Sequence, residues 1–117
     1  MKKVFICDDS YVSALALQHF LTNEGIFIES TTFKQKEFEE ALESKSKPDF
    51  VTMDMVLPDG DGIQCCRKLW TKYPDTPVIF VTNDKVSDNQ KAELPHVKHY
   101  FTKPIIPEKV RAALASL

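Results

Sequence analysis

The sequence predicts an α/β domain in which one parallel sheet carries helices on both faces. Three observations predict it. Short runs of β-branched and aromatic residues alternate with longer amphipathic stretches, five times over. Three of those runs are nearly continuous in apolar residues, the pattern of strands covered on both faces. The length, 117 residues, suits one domain over 1–117 and allows roughly two-thirds of the unfolded surface to be buried.

The strand runs are Val4-Phe5-Ile6-Cys7, Ile26-Phe27-Ile28, Phe50-Val51-Thr52-Met53, Val78-Ile79-Phe80-Val81 and His99-Tyr100-Phe101. Between them, residues 11–24 place Val12, Leu15, Ala16, Phe20 and Leu21 at helical spacing, and Gly25 closes the stretch. Residues 34–44 carry Phe38, Ala41 and Leu42 among lysines and glutamates, with Phe33 and Phe38 as packing residues for this second helix. Residues 61–73 carry Ile63, Cys66, Leu69 and Trp70, and Pro74 ends them. Residues 107–116 open with Pro107 at a first helical position and carry Val110, Ala113 and Leu114. The stretch 84–94 is a weak helix: its apolar residues are few and Pro95 stops it. Right-handed crossovers then leave few topologies, and the flavodoxin-like order 2-1-3-4-5, a (βα)5 three-layer sandwich, is the expectation.

Composition narrows the function. Fifteen basic and seventeen acidic residues are interspersed, giving a formal net charge of −2. No basic stripe suggests direct binding of nucleic acid, and no apolar run approaches the roughly 20 residues of a membrane span. Met1-Lys2-Lys3 and the short apolar run behind it read as a first strand, because the run stops at Asp8. Cys7, Cys65 and Cys66 have neither zinc nor disulfide spacing. They read as reduced, buried thiols, which points to the cytoplasm. His19, His96 and His99 read as surface residues.

Chemistry gathers at the strand ends. The first strand ends in Asp8-Asp9, the third in Asp54, the fourth in Thr82 and the fifth in Lys103-Pro104. In a parallel sheet these ends share one edge, where open α/β sheets bind ligands. The second strand, ending at Glu29-Ser30, should lie at the edge and add nothing. Three close carboxylates need a cation or a shared proton. Lys103 supplies one charge, and a hard divalent ion bound by oxygen would supply two more. A carboxylate in that setting is a workable nucleophile for phosphoryl transfer. Asp59-Gly60-Asp61-Gly62 reads as a turn, since it lacks calcium-loop spacing.

Asp8-Asp9, then Asp54-Met55-Val56-Leu57-Pro58-Asp59-Gly60-Asp61-Gly62, then Val81-Thr82, then Tyr100-Phe101-Thr102-Lys103-Pro104 together resemble the response-regulator receiver family of two-component signalling. The resemblance covers essentially the whole chain. It implies a bacterial signalling module in which Asp54 accepts a phosphoryl group and Lys103 and Thr82 assist. It implies Mg2+, with Mn2+ as a substitute, held by Asp9, Asp54 and the backbone carbonyl of Val56, with Asp8 acting through water. Thr82 and Tyr100 match a switch pair, and the bond before Pro104 matches a position that is commonly cis. The implied partners are a sensor histidine kinase or a histidine phosphotransfer protein, and downstream an effector or a linked output domain. The module is a phospho-acceptor, catalysing its own phosphorylation and slow dephosphorylation, and not an enzyme in the ordinary sense.

Three features depart from the family pattern. Asn83 stands where a small residue is usual and narrows the approach to Asp54. Val56 and Asp84 occupy the two positions that flank the attacking water. A Gly-Ala pair before the fifth strand is replaced by Leu94-Pro95-His96-Val97-Lys98. Other functions fit less well. A dehalogenase-type phosphatase wants an aspartate where Val56 stands, and a flavin carrier would set its phosphate against Asp8-Asp9. A phosphorylation-independent pseudo-receiver is the remaining alternative, with Asn83 its only support.

Overall fold

A computed structural model describes residues 2–117. Five strands form one parallel sheet: β1 (Lys3–Cys7), β2 (Phe27–Thr32), β3 (Phe50–Met53), β4 (Val78–Thr82) and β5 (Val97–Thr102). Their spatial order is β2-β1-β3-β4-β5, with every pairing parallel, as the sequence predicts. Four helices connect them, α1 (Tyr11–Asn23), α2 (Gln35–Ser44), α3 (Gly62–Lys72) and α4 (Asp88–Ala92), and α5 (Pro107–Ala115) follows β5.

Alternation along the central strands explains the two-sided core. Phe5 and Cys7 of β1, Val51 and Met53 of β3, and Val78 and Phe80 of β4 pack with α2 and α3. Val4, Ile6, Phe50, Ile79 and Val81 face the other way, towards α1 and α5. A strand buried on both faces favours apolar residues, hence the nearly continuous apolar runs, broken only by the threonines Thr52 in β3 and Thr82 at the end of β4. Both edge strands carry one residue without a partner across the ladder, Glu29 in β2 and Lys98 in β5. A charged bulge at an open edge twists it and discourages pairing with another chain.

Four readings are corrected. First, β2 runs on to Thr32 rather than ending at Ser30, and β5 begins at Val97. Second, α1 buries Ala14, Leu17 and Leu21, while Val12 is 77% and Leu15 46% exposed, and Ala16 is exposed. The helix is apolar nearly all round, so spacing alone left its rotation open. Third, Phe38 of α2 is fully buried against Phe5, but Phe33 belongs to the α1 side and stacks on Tyr11. Fourth, of the turn read at Asp59-Gly60-Asp61-Gly62, only Asp59 lies in the turn, with Pro58; Gly60–Asp61 pair with Val56–Leu57 as a miniature antiparallel hairpin, and Gly62 opens α3. The weak fourth helix is as short as the sequence suggests, with no buried residue of its own. Val86 and Leu94, just outside its ends, are its anchors in the core.

The cysteines are free and buried. A hydrogen bond to Cys7, then burial, pushes the Cys65 thiol far above the ordinary range, and burial does the same to Cys66. Such thiols are packing groups. No helix among the described residues is long and apolar enough to cross a membrane.

Candidate phosphoryl and metal site

The site is built by backbone bonds just past the strand ends. Asp8 N–H donates to the Thr32 carbonyl at 3.0 Å, Asp54 N–H to Cys7 at 3.0 Å, and Lys103 N–H to Thr82 at 3.0 Å. These bonds carry each ladder one step beyond its strand and fix the residue that follows. β2 therefore gives the site no side chain, as expected, but its last carbonyl sets Asp8.

Asp8, Asp9 and Asp54 each offer a carboxylate oxygen, all within 4.8 Å of one another. Lys103 sits among them, its Nζ donating to Asp8 Oδ1 and to Asp54 Oδ2, each at 2.8 Å, with Asp9 Oδ1 at 3.9 Å. Thr82 Oγ1 donates to the other Asp54 oxygen at 2.8 Å and accepts the N–H of Asp84 at 3.2 Å. The peptide bond before Pro104 is cis. Gly62 lets α3 start hard against the site, for a Cβ there would lie 2.4 Å from the Asp54 carbonyl.

The carboxylates are not equivalent. Asp8 is buried, and both its oxygens are engaged: Oδ1 accepts Ser10 N–H at 2.9 Å, and Oδ2 accepts Ser13 Oγ at 2.8 Å. Asp9 is open to solvent, yet lost hydration, its hydrogen bond to Asp54 and that residue's charge push its carboxyl up to about 6. Burial pushes Asp54 up, but hydrogen bonds from Lys103, Asp9 and Thr82 outweigh it and hold the carboxyl below its ordinary value. Burial lowers Lys103, and its bonds to Asp54 and Asp8 reverse this and raise it, so it stays charged. Below about pH 6 the Asp9–Asp54 pair therefore holds one proton, and above it both carboxylates are ionised. A divalent ion fits that donor set: hard oxygens only, converging, with more negative charge than one lysine neutralises.

All five residues expected at the edge therefore meet. Val56 lies two residues beyond Asp54 in the hairpin, its side chain 51% exposed. Tyr100 stands apart from the carboxylates. Its ring packs on Phe80, centroids 5.6 Å apart, beneath the Lys91 ammonium at 4.9 Å. A cleft of about 430 Å³ lies between it and Thr82, bordered by Asp84 and Lys91. Asn83 is exposed and walls a second cleft of about 410 Å³ with Ser10, Val12, Lys103 and Ile105. The sequence reading missed Ser13, the hydroxyl that holds Asp8. The signal was present, since Ser10 caps α1 and Ser13 follows three residues later on the capped side. His19 is exposed, His96 lies on Trp70 and His99 on Phe101, and none joins a metal-holding group among the described residues.

The model of the response regulator receiver domain matches residues 4–115. The alkaline phosphatase synthesis transcriptional regulatory protein PhoP of Bacillus subtilis is 29% identical over 99% of this chain and 48% of its own length. The probable transcriptional regulatory protein TcrX of Mycobacterium tuberculosis is 32% identical over 97% of this chain, again 48% of its own. The chain thus spans about half the length of these two relatives. Among solved structures, a CheY-like receiver domain protein from Methanospirillum hungatei superposes with a TM-score of 0.87 at 21% identity, covering 99% of this chain and 92% of that one. A two-component response regulator from Clostridium difficile does so at 0.87 and 24% identity, covering 99% and 94%. Sheet order, strand-end residues and a match over nearly its full length agree: the chain belongs to the response regulator receiver domain family.

Proposed function

We propose that this chain is a phosphorylation-activated receiver, taking a phosphoryl group onto Asp54 from a phosphohistidine on a sensor kinase or phosphotransfer protein, in the cytoplasm. The arrangement of Asp54 carries the reading: a buried carboxylate at a strand end, one oxygen on Lys103 and the other on Thr82.

Asp54 is held ionised and oriented before any donor arrives. An Asp54 oxygen forms the bond to phosphorus as the phosphorus–nitrogen bond of the donor breaks, and the departing imidazole keeps that electron pair and takes a proton from solvent. Asp9, Asp54 and the Val56 carbonyl, with Asp8 behind them, would hold a Mg2+ ion, which would supply positive charge to the transferring group. Lys103, a point charge on a flexible stem, exchanges its Asp54 oxygen for a phosphoryl oxygen. Thr82 turns its hydroxyl from Asp54 to the phosphoryl group, which adds about −1.5 to −2 charge. The cleft between Thr82 and Tyr100 gives the ring room to move in behind the threonine. That motion alters the face of α4, β5 and α5, which an effector or linked output domain would read.

Intact-mass analysis after incubation with acetyl phosphate tests this. The parent protein with Mg2+ gains one phosphoryl group, while EDTA or Asp54→Asn prevents it. A parent that stays unmodified with acetyl phosphate and with a phosphorylated phosphotransfer protein, yet binds partners, is a pseudo-receiver, and the proposal fails.

A further inference from the structure

Helix α2 is capped from a distance. Its own N-cap residue, Lys34, offers no side-chain acceptor. Asp59, from the loop after β3, takes its place: Oδ1 accepts the Gln35 N–H at 2.7 Å and Oδ2 the Lys36 N–H at 3.0 Å. The contact is returned, because Gln35 Oε1 accepts the N–H of Asp61 at 3.2 Å, and its Nε2 is steadied by Glu39 at 2.9 Å. The amide lies directly over Gly60. A Cβ at that position would come within 1.7 Å of Gln35 Oε1, so only glycine leaves the amide its seat.

This exchange bears on the acidic cluster through Val56. In the hairpin, Asp61 pairs with Val56 and Gly60 with Leu57. Asp61 is tied again by its side chain, which accepts the Gln64 N–H at 2.8 Å and so caps α3. Gln35 thus grips the far strand of the hairpin and Asp59 ties its turn to α2, while the near strand carries Val56. A ladder of two residues on each side has little stability of its own and depends on contacts behind it.

We propose that Gln35 and Asp59 form a reciprocal clamp that braces the loop 55–61 against α2 and thereby sets the divalent-cation affinity of the acidic cluster. The inference rests on the receiver reading above, in which the Val56 carbonyl is a ligand. Both are positioning residues, for neither hydrogen-bonds to Asp8, Asp9 or Asp54. Groups that hydrogen-bond a metal ligand directly change affinity about 10–100-fold when removed, and a clamp one contact further out belongs at the lower end of that range.

Mn2+ binding followed by electron paramagnetic resonance tests the clamp, on proteins shown to be folded by circular dichroism. Asp59→Ala and Gln35→Ala should each weaken Mn2+ binding about tenfold. The double variant should bind no worse than the weaker single one, because one clamp is lost only once. Gly60→Ala should match Gln35→Ala in an otherwise native chain and have little effect in the Gln35→Ala background, where the obstructing amide is gone. If Asp59→Ala does not fold, Gln35→Ala and Gly60→Ala decide. Folded variants that bind Mn2+ within twofold of a parent that binds it overturn the clamp and leave the receiver reading intact. A parent that binds no Mn2+ overturns the metal reading, and the clamp with it.

Discussion

Lys103 is a single cation set among three carboxylates, two of them buried, and its removal tests the charge balance directly. Leaving Asp8 and Asp54 without it should cost about 3 kcal/mol, as loss of one partner from a buried ion pair does. A typical domain is stable by roughly 5–15 kcal/mol, so Lys103→Ala should still fold. It should respond poorly to beryllofluoride, and Mg2+ should raise its melting temperature more than the parent's. Equal spectral change on beryllofluoride in variant and parent would contradict this. Asp9 gives a pH signature. Its folded pKa of about 6 lies above the ordinary 3.8. Its contribution to stability is therefore complete below about 3.8 and lost as pH rises through about 6, where the folded state gives up the extra proton. Asp9→Asn, without metal, should therefore melt higher than the parent at pH 7.5, with the gap closing towards pH 4. It should also lose the rise that Mg2+ gives. Melts across that range check the sign.

At the level of elements, α4 stands out as weakly held. Five residues make a single turn and a half, none buried, with anchorage only through Val86 and Leu94 at either end. What stabilises it locally is a capping box, with Ser87 and Gln90 bonding each other's backbone N–H, together with Lys91 over Tyr100. Hydrogen exchange should show amides 88–92 far less protected than those of α1, and Ser87→Ala should lower local protection by about 1 kcal/mol. Protection equal to that of α1 would refute the claim. A weakly packed element is what a small bias at Thr82 could move. The opposite case is α1, held in the core by Ala14, Leu17 and Leu21, while its Val12 stands out towards solvent beside the cleft that Lys103 lines.

For the whole molecule, the acidic edge couples metal binding to folding. The folded chain gathers Asp8, Asp9 and Asp54, and an unfolded chain has no such site. At a Mg2+ concentration about 100-fold above its dissociation constant, linkage adds about 2.7 kcal/mol. For 117 residues that corresponds to a rise in melting temperature of about 10 °C. A calorimetric scan that does not move at a Mg2+ concentration shown separately to saturate the folded protein would contradict this coupling.

Read along the chain alone, the residues disclose the alternation of five strands with helices, the doubly covered core and the five residues that meet at the sheet's edge. Each of these follows from local pattern: apolar runs mark strands, and the residue just after a run must sit at the sheet's edge. What the pattern left open had to be settled by contacts between distant segments. The rotation of α1 was decided by which of its several apolar faces met β1 and α5, burying Ala14 and Leu17 in place of Val12 and Leu15. The length of β2 was decided by its pairing with β1, which carries Thr32 to the backbone of Asp8. The cap of α2 could not be found from the sequence around Lys34, because its acceptor, Asp59, lies 24 residues away from Gln35. Which of Asp9 and Asp54 keeps the proton likewise depends on Lys103 and Thr82 reaching Asp54. Hydrophobic period and turn chemistry are local and can be read along a chain. Hydrogen-bond partners and electrostatic environment depend on distances in space, which only the folded chain sets.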